Sequence, residues 1–316
     1  MTADAARHIV SFYVTDAKLV ADLVPFIGEG LRAGEPAVLL ATHRHLDALF
    51  GALQAEGLPV AELLEDGMIT ALDAAETLSA LVVDGVPDRN RFRSVITPVL
   101  RSAAGRGPRV RAFGEMVDLL WEAGQVVGAL ALEGLWGEVL TDERLSLWCA
   151  YRASSVADSK LADVAHVCAH HSDVVAPPAF ASARTDAPDD IADQSRLFLP
   201  TLVAARAVRR FVTDSLSAWH ADHLVHDAAL VASELASNAL LHASSPFRVF
   251  LRRSADDITI AVHDTSATVP TPRPAEDFAS NGRGVAIVDT LASSWGTELR
   301  PDGGKIVWAT LSAGAA

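Results

Sequence analysis

The stretch LVASELASNALLHA, Leu230 to Ala243, decides the reading of the C-terminal half. Glu234, Asn238 and His242 recur every four residues, so on an α-helix they form one stripe that drifts about 40° per step. Val231 and Leu235 lie on or beside that stripe. Polar groups placed there are costly unless the stripe borders a pocket. An amide oxygen is a hard ligand suited to Mg²⁺, and a carboxylate one turn away accepts a proton or orients a water. The spacing describes equally well a helix with three solvated polar residues.

The flanking segments add two features. ITIAVHDTS alternates Ile258, Ile260 and Val262 with Thr259, Ala261 and His263, as a strand buried on one face should, and ends in Asp264. A carboxylate there can accept from an exocyclic amine, or simply form a turn. SNGRGVAIVDTLA places Gly282, Arg283 and Gly284 before an apolar helix. Such a loop brings N–H groups toward phosphate oxygens, though a plain flexible turn has the same glycines. Helical periods at Thr201 to Ala218 and Asp222 to His242 come first. Strands at Arg248 to Arg253 and Ile258 to Asp264 follow, then a helix at Val285 to Leu291 and a strand at Lys305 to Leu311 after Gly303-Gly304. Clustered helices and antiparallel strands predict an α/β sandwich.

Taken in this order, SELASNALLHA, HDTS and NGRGVAIVDTLASSWG with GGKIVWATL resemble the GHKL, or Bergerat-fold, ATPases, and among them the RsbW/SpoIIAB-type anti-sigma factors, which are serine kinases. The likeness covers roughly Ser195 to Leu311. It implies ATP and Mg²⁺ as cofactors. It implies Glu234 as general base or water-positioning acid and Asn238 as the Mg²⁺ ligand. Asp264 would hold the adenine amine, and Gly282, Arg283, Gly284 and Val285 would line the phosphates. His242 falls near the nucleotide, and Thr310 matches a hydroxyl beside adenine. Ser266 stands where broader members of the group have glycine. The implied partners are a sigma factor and a STAS-type anti-anti-sigma protein whose serine is phosphorylated, and a homodimer. A non-catalytic ATP-binding partner switch is the alternative. A sensor histidine kinase shares the ATP fold but needs a phospho-accepting helical hairpin. His166, His170 and His171 lie upstream, before a Pro-containing segment unsuited to a continuous stalk. With Cys168 they stand at i, i+2, i+4 and i+5, which do not share one helix face, so a helix-end cluster is the plainer reading than a metal site.

Upstream, the composition changes. APPAFASARTDAPDDIADQS, Ala176 to Ser195, has linker character. It predicts a sensory domain over 1–175, a linker over 176–195 and the ATPase-like domain over 196–316. In the first part, apolar runs at Ile9 to Val14, Ala37 to Ala41, Met68 to Leu72, Arg109 to Phe113 and Leu145 to Tyr151 alternate with helical periods such as Ala17 to Leu31 and His45 to Gln54. That pattern predicts a mostly parallel sheet covered on both faces. Polar residues beyond strand ends make His8, Thr42, His43, Asp73, Glu115 and Glu133 candidates for a ligand pocket, and each is also a plausible cap or loop residue. HIVSFYVTD, GEPAVLLATHRH, ITALDA, VRAFGEMVDLLW and LEGLWGEVL resemble the MEDS domain over His8 to Ala165. That resemblance implies a RecA/KaiC-like α/β fold and an unknown small-molecule ligand. No GxxxxGK[ST] run occurs, so sensing without nucleotide turnover is expected in this half.

Composition fits this picture. The 316 residues are 50% hydrophobic, which supports buried cores. Forty acidic against 26 basic residues give a net charge of −14, which repels phosphate backbones and predicts no direct nucleic-acid binding. Two cysteines, Cys149 and Cys168, are too few for a disulfide scaffold. Apolar runs fall far short of the roughly 20 residues a membrane helix needs, so a cytoplasmic protein is expected.

Overall fold

The structure, a computed structural model, describes residues 7–140, 144–175, 180–181, 193–201, 203–243, 245–254, 257–269, 283–301 and 303–312. The chain divides into two compact units, Met1–Val156 with His166–Pro177, and Ala157–Ala165 with Pro178–Ala316. Each has its own sheet.

The first unit begins β1(His8–Tyr13), α1(Asp16–Arg32), β2(Ala37–Ala41), α2(His43–Ala55), α3(Val60–Glu65), β3(Ile69–Asp73) and α4(Ala74–Leu81). A two-stranded ribbon, β4(Val82–Val83) and β5(Val86–Pro87), leads into α5(Arg89–Ala104). Then come β6(Val110–Gly114), α6(Met116–Glu122), α7(Val126–Val139), β7(Leu145–Arg152), α8(Ala153–Ala157), α9(Leu161–Ala169), of which the stretch up to Ala165 is counted with the second unit, and β8(Asp173–Val175). The main sheet is ordered β3-β2-β6-β7-β1-β8, and every pairing in it is parallel. The buried strands are apolar almost throughout, as a sheet covered on both sides requires. On one face lie Leu19, Leu23, Ile27 and Leu31 of α1 and Leu46, Leu49 and Leu53 of α2. On the other, Phe92 of α5 meets Trp136 of α7 edge-on, and Trp121 of α6 meets Tyr151 of β7. From β2 the chain runs outward to β3, and from the adjacent β6 it runs back to β7. That divergence opens a crevice at the strand C-termini, the usual ligand position in such sheets.

The second unit holds β9(Phe180–Ala181), β10(Gln194–Phe198), α10(Ala204–Ala218), α11(Val225–Ala243), β11(Phe247–Ser254), β12(Asp257–Asp264), α12(Arg283–Leu291), β13(Ser294–Leu299) and β14(Lys305–Ser312). Its sheet is antiparallel, in the order β13-β14-β12-β11-β10-β9. Residues from α10, α11 and α12 join Val249, Leu251, Ile258, Ile260, Val262, Val307, Ala309 and Leu311 in one core, so the helices cover one face. This is the expected α/β sandwich. Phe180–Ala181 and Gln194, inside the stretch read as linker, pair in the sheet. Ladder pairing uses backbone groups and needs no apolar run. β13 is likewise invisible to an apolar pattern, because it is an edge strand whose residues are exposed or half-buried.

Candidate functional site

In the second unit α11 buries Ala228, Val231, Ala232, Leu235, Ala236 and Ala239 against the sheet and α12. Glu234 and Asn238 flank this stripe and are half-buried, while His242 at the helix end is exposed. The three share the helix, but only the first two border the covered layer. β12 carries Asp264 to the same layer, where it is 1% exposed. Its Oδ1 accepts from Lys305 Nζ at 2.8 Å and from the Ser266 backbone N–H at 2.8 Å. Lys305, also 1% exposed, is placed by the register Asp264↔Lys305 and is a candidate site residue that sequence reasoning missed. A single lysine at the start of a strand carries no signal of burial. Among the described residues both donors reach Oδ1, and Oδ2 accepts from neither. Ser266, standing in the glycine position, closes a local turn, and its Oγ accepts from Thr268 N–H at 3.2 Å.

Arg283, Gly284 and Val285 form the first turn of α12, where backbone N–H groups lack helical partners. Gly282 lies outside the described residues. Thr310 requires a correction. Thr259 and Thr310 are paired across the sheet with their hydroxyls 3.1 Å apart, on the face opposite Asp264, because strand side chains alternate. Its hydroxyl therefore stands away from the Asp264 side.

In the first unit the six candidate residues do not share one pocket. Thr42 and Glu115 meet at the C-terminal edge of β2 and β6, in the crevice described above. The Thr42 N–H donates to Glu115 Oε1. His45, a residue not singled out from sequence, lies 2.5 Å from Glu115 Oε2 through Nδ1 and 3.5 Å from Asp16 Oδ1 through Nε2. Arg152 and Arg44 reach Asp16 at 2.9 and 2.7 Å. The hydrogen bond to Glu115 raises the His45 pKa against the opposing effect of burial. Burial opposes ionisation of Asp16, yet Arg152 and His45 hold its carboxyl below the usual range. Beside this network Asp118 accepts from Tyr13 Oη at 3.1 Å and from Arg152 N at 3.0 Å.

His43 and Asp73 form a separate surface pair at 2.7 Å, with the His43 side chain 78% exposed. Asp73 also caps α4 by accepting from Glu76 N at 2.8 Å. His8 and Glu133 lie elsewhere again. His8 begins β1, at the opposite edge of a parallel sheet from the end of β2. Its neighbours are Glu133 of α7, Cys149 of β7 and His171, all with buried side chains. Burial, and then His171, pushes the His8 imidazole down to about 4. Burial, and then Glu133, holds the Cys149 thiol up. Cys168 is not part of this cluster.

No helix among the described residues is long and apolar enough to cross a membrane. Residues 7–170 match the family model described as MEthanogen/methylotroph, DcmR Sensory domain, abbreviated MEDS. Residues 198–311 match the model described as Histidine kinase-like ATPase domain. Comparison with curated proteins gives no match.

Proposed function

Because the chain belongs to the MEDS family and carries a histidine kinase-like ATPase domain, a pairing that marks a signalling regulator, we propose that its C-terminal unit is an anti-sigma-type serine kinase. Its substrate is a serine of a STAS-type anti-anti-sigma protein, its second partner a sigma factor, and a small molecule sensed by the N-terminal unit controls it. The observation that supports this best is the half-buried Glu234–Asn238 pair on α11, on the same side of the sheet as buried Asp264. ATP with Mg²⁺ supplies the transferable phosphoryl group and its charge neutralisation. Asp264 accepts the adenine amine, and Lys305, bonded to its Oδ1, holds that carboxylate in place. Asn238 offers its amide oxygen to Mg²⁺. The N–H groups at the start of α12, which no helical carbonyl pairs, favour phosphate. Glu234, one turn from Asn238, takes the proton of the substrate hydroxyl.

The Glu115–His45–Asp16 network sits at the strand ends where an incoming ligand would exchange hydrogen bonds with it. We assign the sensed ligand to this crevice. A phospho-accepting hairpin finds little support. α9 is nine residues long, and the His171 ring is buried with Nδ1 2.7 Å from Val167 O.

The test is transfer of labelled phosphate from ATP to a cognate STAS protein by the full chain. Transfer to serine that drops at least about 100-fold in Glu234→Ala, with ATP binding retained, is the expected result. Tight ATP binding with no transfer would make the protein a non-catalytic switch. Acid-labile phosphate on His166, His170 or His171 would make it a histidine kinase.

A further inference from the structure

Four segments far apart in sequence bring one donor atom each to a single buried point in the N-terminal unit. They are His8 in β1, Glu133 in α7, Cys149 in β7 and His171 just before β8. All four atoms lie within 4.8 Å of one another. The hydrogen bonds around them decide what they can do. His8 Nδ1 is 2.9 Å from the carbonyl of His170, and His171 Nδ1 is 2.7 Å from that of Val167. A carbonyl only accepts, so both imidazoles carry a proton on Nδ1 and turn Nε2 inward. Glu133 Oε1 accepts from the Tyr151 hydroxyl at 2.6 Å, which leaves Oε2 facing the same point. Two imidazole nitrogens and a carboxylate oxygen, all acceptors in the neutral imidazoles, thus converge, with the Cys149 thiol as the single donor. Among the described residues His171 Nε2 is buried and makes no hydrogen bond, although Glu133 Oε2 is 3.4 Å away. Such a convergence is repulsive until a cation enters it.

The spacing fits one ion. Bonds of about 2.0–2.1 Å to nitrogen or oxygen and about 2.3 Å to sulfur give a tetrahedron with edges of about 3.4 Å between the light atoms and about 3.6 Å to sulfur. Glu133 Oε2 lies 3.7 Å from His8 Nε2 and 3.4 Å from His171 Nε2. Cys149 Sγ lies 3.6 Å from both His8 Nε2 and Glu133 Oε2. We propose that His8, Glu133, Cys149 and His171 bind one divalent ion of the zinc class in a tetrahedral, four-ligand site. The mixed sulfur, nitrogen and oxygen donors exclude Mg²⁺ and Ca²⁺, which take oxygen alone. Four protein ligands leave no open position, so the ion ties β1, α7, β7 and the segment entering β8 together and does not activate water. On binding, the Cys149 proton passes to solvent. The proposal is independent of the nucleotide reading.

The full chain, purified under reductant without added chelator, is expected to carry one zinc ion, read by elemental analysis. After chelation, Co²⁺ titration is expected to give the strong visible bands of tetrahedral cobalt and a near-ultraviolet thiolate charge-transfer band. Cys149→Ser should abolish the charge-transfer band. Tyr151→Phe keeps all four donors and is expected to weaken Co²⁺ binding about 10–100-fold through the freed carboxylate oxygen. It carries the test if Cys149→Ser does not fold by circular dichroism. A folded wild-type chain that holds no metal and takes up neither Zn²⁺ nor Co²⁺ overturns the proposal and leaves a protonated ion-pair cluster. A cobalt spectrum without sulfur charge transfer, or one unmoved by both variants, overturns it as well.

Discussion

Gly304 sits at a φ of +80° in the turn that delivers Lys305 to Asp264. A Cβ there would stand 2.0 Å from the Asp264 carbonyl oxygen and 2.9 Å from Thr265 Cα, both backbone atoms that cannot swing aside. Gly304→Ala therefore combines a disfavoured left-handed conformation with a direct clash. We expect a loss of about 3 kcal/mol in the C-terminal unit, at the upper end for single substitutions, read as a lower urea midpoint. An unchanged midpoint would show that β12 and the turn before β14 do not approach this closely. The residue scale is also where the sequence was least legible. Gly303-Gly304 announces a turn, but nothing in it shows that the turn abuts Asp264. The acidic half of the ion pair stood out because it ends an alternating strand. Its lysine did not, because long-range register places it and no local pattern does. The same holds for His45, whose partners Glu115 and Asp16 come from other segments.

Among elements, Asp118 joins three, hydrogen-bonding from α6 to Tyr13 of β1 and to the Arg152 backbone of β7. Burial outweighs the Arg152 backbone N–H, and with Glu122 nearby the carboxyl rises to about 7. Between about pH 4 and pH 7 the folded chain thus keeps a proton that the unfolded chain has released. Stability from this group is complete in acid and lost as pH rises through that window. Asp118→Asn retains an acceptor for Arg152 N and can use the Tyr13 hydroxyl as acceptor, yet carries no proton to lose. The variant should remove this slope from the pH dependence of the urea midpoint while other groups act on both proteins alike. Parallel slopes in the two proteins would reject the assignment. At this scale the sequence was far more informative. Strands buried on both faces must be largely apolar, so β1, β2, β6 and β7 announce themselves. Strands that are only partly buried, such as β10 and the edge strand β13, need only half an apolar face, and their short polar stretches look like linker or loop.

Across the whole molecule, the two units hold different chemistries. One has a mixed-donor cluster closed inside a parallel sheet domain, and the other has a carboxylate and amide facing a helix-covered antiparallel sheet. A ligand that binds only the folded form stabilises by RT ln(1 + [L]/Kd), about 2.7 kcal/mol at one hundred times Kd. That energy falls on the unit that holds the site. Scanning calorimetry of the full chain should therefore show one transition that rises with ATP and Mg²⁺ and a second that falls with a chelator of zinc. Asn238→Ala should remove the first response and spare the second. Cys149→Ser should lower the second transition without altering the first response. If both transitions rose together with nucleotide, the units would melt as one cooperative body, and a signal in one would reach the other through the folded state itself. If neither ligand moved its transition, the assignment of two separate binding sites would fall.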